Sequence, residues 1–215
     1  MSGLILKDIL VARKTIRVYA LFLVFYLGLS VMGAFALSFV STFLNLLVMM
    51  LPMSAFAYDE AAKWDRYALS MPLGRRAVVG ARYLFALMLA LFAVMAGTAA
   101  SVIISMMEKE PLIESLSTVL ASVAIGILFA AIILPLCYKF GPERARPYMF
   151  VVLFVPIIIL FLAYRVGGAR IDLSFLDTLP DTVILGGIAM LPVAALLCLG
   201  VSYFISCAIM AKKEF

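Results

Sequence analysis

Between Val18 and Ala57 the chain runs for about forty residues without a charge, interrupted only by scattered small residues and Asn45. As one helix, at 1.5 Å rise per residue, this run would extend about 60 Å, twice the ~30 Å hydrocarbon thickness of a bilayer. It has to fold back on itself as two spans, and the Ser/Thr-containing stretch Ser38 to Thr42 is the expected turn. Four further runs follow: Ala77 to Met107, Leu116 to Tyr138, Tyr148 to Tyr164 and Val183 to Met210. All are apolar on every side, whereas barrel strands alternate polar and apolar. The expected fold class is an all-α membrane protein with six transmembrane helices in one domain spanning residues 1–215.

Composition agrees. The hydrophobic share is 67%, against about 45–50% in soluble domains. Six spans place both termini on one side. Of the 17 Lys and Arg residues, all except Lys109, Arg165 and Arg170 then fall on that side. Cytoplasmic loops carry such an excess, so the reading is a multi-pass plasma-membrane protein with both termini cytoplasmic. The acids divide evenly, which leaves the inner face cationic and the outer face net negative. The basic clusters are short and lie between spans, so the net charge of +5 is no sign of nucleic acid.

Ile5, Ile9, Ala12 and Ile16 share one face of an N-terminal helix, with Lys7 and Lys14 opposite. That pattern suits an amphipathic helix over residues 1–16 lying in the membrane plane; the alternative is a cytoplasmic extension of the first span. Ala34-Phe35-Ala36 resembles a cleavage site. The next span follows it without a polar gap, so the expectation is that the segment stays attached.

Charge concentrates between the second and third runs. "YDEAAKWDRYALSMPLGRRAVVGARY" holds Asp59, Glu60, Lys63, Asp65, Arg66, Arg75, Arg76 and Arg82 beside Trp64, the chain's one tryptophan. As a helix over residues 59–72, it aligns Trp64, Tyr67, Ala68 and Met71 on one face. Asp59 and Lys63 form an i, i+4 pair, with Asp59 and Glu60 in the favoured first turn. Pro72 ends it. Arg75 and Arg76 then open the next helix, where the macrodipole disfavours cations. Some other partner must hold them there, inner-leaflet phosphates or an acidic protein. A solvated basic loop is the plain alternative for the whole segment. A second basic loop, Lys139 to Pro147, carries Lys139, Glu143, Arg144 and Arg146.

Catalytic machinery is not apparent. There is no histidine and no phosphate-binding G-x-x-x-x-G-K-[ST] loop. Cys137, Cys198 and Cys207 fall inside spans without C-x-x-C spacing, so neither a disulfide framework nor a metal site is expected. No span carries a charge well inside it, unlike a proton- or sodium-coupled carrier. What the spans offer is close packing: Ser122, Gly126 and Ala130 form one small-residue stripe, and Ala93, Gly97 and Ala100 another. Pro52, Pro135, Pro156 and Pro192 permit bends. Asn45 either bonds across a helix interface or lines a pathway.

The acids after the second span, the aromatic-rich segment and "ALSMPLGRRAVVGARYL" resemble the ABC-2 type permeases. The likeness is closest to a small six-span subset that includes phenol-soluble modulin and bacteriocin-type peptide exporters. Met71 stands where leucine is usual, Leu73 for valine, and Gly74 for a capping serine. The resemblance implies two such subunits around a pathway, as a homo- or heterodimer, driven by a separate ATPase that holds the ATP and Mg. It makes residues 59–72 a coupling helix docked on that ATPase, with Asp59, Glu60, Lys63, Trp64, Asp65, Arg66, Tyr67, Met71, Pro72, Arg75 and Arg76 at the contact. Lys139, Glu143, Arg144 and Arg146 would be a second contact. Amphipathic or antimicrobial-type peptides would be the cargo, and the chain itself would be no enzyme. Two other readings compete: a membrane enzyme gripping lipid phosphate through Arg75 and Arg76, and a ligand-capturing or regulatory subunit.

Overall fold

The structure is a computed structural model describing residues 2–32, 37–64, 67, 74–108, 112–166 and 181–212. Six helices run through them: α1 Ser2–Val31, α2 Leu37–Ala61, α3 Arg75–Glu108, α4 Leu112–Phe140, α5 Pro142–Val166 and α6 Asp181–Lys212. Among the described residues there is no strand. Among the described residues, four helices are long and apolar enough to cross a membrane: α2 over Phe39–Ala61, α3 over Arg75–Ile103, α4 over Leu112–Phe140 and α6 over Gly186–Lys212.

Three boundaries differ from the sequence reading. The turn expected at Ser38 to Thr42 lies within α2, and α1 instead ends at Val31, with the Met32 amide donating to Gly28 O (3.1 Å). Hydroxyl residues did not break the helix because Val40, Leu44 and Val48, one turn apart, are fully buried on the core face. The N-terminal segment is no separate interfacial helix but the first half of α1. Its apolar face is not turned to lipid: Ile9, Ala12 and Ile16 pack on Leu47, Leu51, Ala55 and Phe85. The basic loop Lys139 to Pro147 is not a loop either. α4 runs to Phe140, and α5 starts at Pro142. Gly141 alone turns the chain, at φ +80°. Glycine just past one helix and proline at the head of the next is the favoured arrangement for such a junction.

α4 is the centre of the bundle and packs against α2, α3, α5 and α6. Small residues let it approach closely. A Cβ on Gly97 of α3 would sit 2.5 Å from Val119 Cγ1 of α4, and one on Gly126 of α4 would sit 2.5 Å from Asn45 Oδ1 of α2. Both small-residue stripes therefore serve helix contact. Hydrogen bonds tie the same helices. Tyr83 Oη of α3 shares protons with Ser202 and Ser206 of α6, each at 2.7 Å, and Ser202 Oγ donates to Ala131 O of α4 at 2.5 Å. Such bonds between spans contribute about 0.6 kcal/mol each. Tyr19, Phe22 and Tyr26 of α1 surround Phe43 of α2 with centroid distances of 5.8, 6.3 and 5.4 Å. Large apolar residues such as Leu21, Val24, Phe92, Met95, Leu197 and Phe204 remain exposed. That is the surface a lipid-embedded bundle needs, since lipid tails are as apolar as leucine.

Gly97→Ala should destabilise the bundle by about 1–3 kcal/mol, because Val119 is stiff at χ1 and fully enclosed. Thermal melting in detergent should show a lowered midpoint that Val119→Ala, added to the same chain, brings back up.

Candidate functional site

Helix ends gather at one face: the start of α1, the end of α2, the start of α3, the α4–α5 junction and the end of α6. Three contacts establish this. Lys7 and Arg82 meet Asp59, Glu60 lies against Gly141, and Arg75 reaches the last turn of α6. The basic residues that the sequence places in separate loops therefore share one surface.

Three buried charges and a half-buried fourth, Lys7, meet there. Lys7 Nζ donates to both carboxylate oxygens of Asp59, each at 2.7 Å, and lies 3.0 Å from Asp8 Oδ1. Arg82 Nη2 donates to Asp59 as well. Its Nη1 lies 3.2 Å from Asp8 Oδ1, too poorly aligned for a hydrogen bond. Asp8, Arg82 and Asp59 are 3%, 5% and 7% exposed. Two cations and two anions sum to zero, which is what makes burial tolerable; either sign alone would carry a desolvation cost of several kcal/mol. Aromatic rings complete the cluster. Arg82 lies 4.5 Å from the Phe56 centroid, Phe56 meets Tyr138 of α4 edge-on at 4.8 Å, and Lys7 lies 4.5 Å over Trp64. The cluster thus ties α1, α2 and α3 directly and reaches α4 through Phe56.

The charged segment after α2 is arranged differently from the expectation. Asp59 and Glu60 stand in the last turn of α2, not the first turn of a separate helix. Acids at a helix C-terminus are unfavourable by the macrodipole, and for Asp59 the two cations offset this. The helix stops where the Lys63 amide donates to Glu60 O (3.0 Å) and Lys63 takes a left-handed φ of 51°. The expected Asp59–Lys63 pair is replaced by Asp59 with Lys7 and Arg82. Trp64 is half-buried beneath Lys7, and Tyr67 is exposed. Asp65, Arg66, Met71 and Pro72 lie outside the described residues, as does most of the expected helix.

Arg75 answers the question raised by cations at a helix N-terminus. Its Nη1 donates to Ala211 O at 2.8 Å and to Met210 O at 3.3 Å. These carbonyls belong to the last turn of α6, where no intrahelical donor remains and a cation is favoured. Arg76 is exposed. At the α4–α5 junction, a Cβ on Gly141 would sit 3.0 Å from Glu60 Oε1 and push that exposed carboxylate aside, while the φ of +80° itself favours glycine. Glu143 and Arg144 are exposed in the first turn of α5, and Lys139 lies 5.1 Å over the Phe140 ring. The Arg146 side chain lies outside the described residues. Asn45 Oδ1 is buried at the α2–α4 contact without a hydrogen-bond partner, and Ser122 Oγ bonds its own helix at Thr118 O (2.8 Å).

Sequence reasoning missed Lys7, Asp8 and Arg82 as a unit with Asp59. A signal was present: Asp8 falls on the apolar face of α1 with Ile5 and Ala12, and Arg82 falls on the buried stripe of α3 between Val79 and Ala86. Charges at such positions need partners.

These features define a polytopic helical membrane protein whose ionised residues collect where one set of helix ends meets. A family model for the ABC-2 family transporter proteins matches residues 3–211, nearly the whole chain. The chain belongs to that family. No curated protein and no solved structure matches it.

Arg82→Met should cost about 3–5 kcal/mol, because it leaves two buried carboxylates with Lys7 alone. Adding Asp59→Asn restores charge balance, and the double variant should melt above the single one.

Proposed function

We propose that this chain is the permease subunit of an ATP-driven exporter, powered by a separate ATPase subunit that seats on the face where the helix ends gather. The carrying observation is the coupling between Trp64 and the buried charges. Trp64 lies against Lys7, and Lys7 holds Asp59, which holds Arg82. Force applied to the segment after α2 would therefore reach α1, α2 and α3 together. Trp64 and Tyr67 are the aromatic anchors, of the kind that dominate protein interfaces. Glu60, Lys63, Glu143 and Arg144 are exposed, and Glu60 lies against Gly141, so on this reading both regions supply the charged rim of the contact.

In this reading the gathered face is cytoplasmic, the subunit works as a dimer in the plasma membrane, and ATP and Mg belong to the partner. The chain performs no chemistry itself. The cargo class is amphipathic, antimicrobial-type peptides. Its support is the resemblance of "ALSMPLGRRAVVGARYL" to peptide-exporter permeases, together with apolar spans and a net negative outer face. Asp59 and Arg75 have different roles from those that Asp59, Glu60, Arg75 and Arg76 were expected to share at the contact. Asp59 serves the internal ion cluster and Arg75 the end of α6. The first of these facts weighs against a lipid-processing enzyme, which would need the Asp59 carboxylate free for catalysis.

Co-expression with candidate ABC ATPases from the same genome tests the docking. Trp64→Ala with Tyr67→Ala should weaken joint purification by about thirtyfold or more while leaving the permease's own melting little changed. Wild-type stoichiometry in that double variant, or labelling of a Lys63→Cys chain from outside intact cells, would defeat the reading.

A further inference from the structure

At the gathered face the seam between α3 and α6 opens into a hollow of about 670 Å³ whose mouth is formed by Gly74, Arg75 and Arg76 and whose wall includes Tyr203 and Phe204. The hollow continues along the seam into a second space of about 320 Å³, with Leu84 and Leu87 on one side and Leu196 and Gly200 on the other. Tyr203 and Phe204 border both. The groove is graded: cationic at the helix ends, aromatic at its middle and aliphatic deeper in the bundle.

We propose that this seam binds one anionic glycerophospholipid from the leaflet on the gathered face. Its phosphate lies at Arg76 and Arg75, and one acyl chain runs past Phe204 along Leu84, Leu87 and Gly200. Dimensions agree. Arg76 to Leu87 spans about 17 Å along α3, close to the ~15 Å depth of one leaflet's hydrocarbon. Charge agrees as well. Arg75 is held at the mouth by the α6 carbonyls and keeps its other guanidinium donors, while Arg76 is exposed beside it. A phosphate there is matched by both cations, whereas a second copy docked two-fold on this seam would set arginine against arginine. The bound lipid would bridge α3 and α6 beyond the Tyr83–Ser202–Ser206 bonds, so that their spacing responds to the membrane's anionic content. Lipid retention is read on the chain without the ATPase, so failure of this site and failure of the docking reading are distinguishable.

The test is native mass spectrometry of the full chain in mild detergent, offered equal amounts of phosphatidylglycerol and phosphatidylcholine. Wild-type protein should retain phosphatidylglycerol preferentially, and Arg76→Gln should cut that preference about fivefold. Gly200→Leu supplies a second arm. A Cβ at Gly200 would meet nothing within 4 Å and Gly200 borders the groove, so the variant should fold, fill the aliphatic part of the groove and lower phosphatidylglycerol retention with both arginines in place. Equal retention of the two lipids by wild-type protein would overturn the proposal. So would unchanged retention in Gly200→Leu, and a changed oligomeric state in that variant with lipid binding intact would assign the seam to a protein contact instead.

Discussion

Three buried charged side chains and a half-buried lysine at the end of an apolar bundle set the terms for the rest of the molecule. In a low-dielectric setting Lys7, Asp8, Asp59 and Arg82 can remain charged only by facing one another. That requirement brings the first turns of α1 against the last turn of α2 and the start of α3. It also explains why α1 is one long helix. Its charged first half is held against α2 and α3 by ion pairs and by the Ile9–Ala12–Ile16 face, so it has no reason to leave the bundle and lie along a membrane surface.

From that anchor the packing follows two rules. Small residues set the distance between helices, with Gly97 against Val119 and Gly126 against Asn45, and α4 meets its neighbours across those contacts. Backbone groups left over at helix ends are then satisfied by side chains from other helices. Arg75 serves the end of α6, while Gly141 lets the chain reverse within one residue and accommodates Glu60. Ion pairs, caps and turn all lie on the same face.

Much of this organisation was legible in the residues. Continuous apolar runs of bilayer length specify helices, because a backbone in lipid must satisfy its own hydrogen bonds. "FGPERA" spells a helix end followed at once by a helix start, although reading it as a basic loop overlooked that. The likeness around "ALSMPLGRRAVVGARYL" pointed to the family that the match over residues 3–211 establishes. Less legible was the role of each charge. Asp59 and Lys63 are spaced as a helical pair, yet α2 ends between them, and the partners of Asp59 lie 52 and 23 residues away.

The chain by itself determined that it is helical, membrane-embedded and divided into apolar segments, because hydropathy and period are local properties. It also determined which residues carry charge and on which side of the segments they cluster. Tertiary structure alone decided which of those charges are enclosed and which stay exposed. Asp59 and Arg82 went inside, Arg75 went to the end of another helix, and Arg76 and Lys63 stayed at the surface. The physical reason is that pairing energy depends on distance in space, and helices brought together from distant parts of a chain choose partners that no spacing along it can reveal.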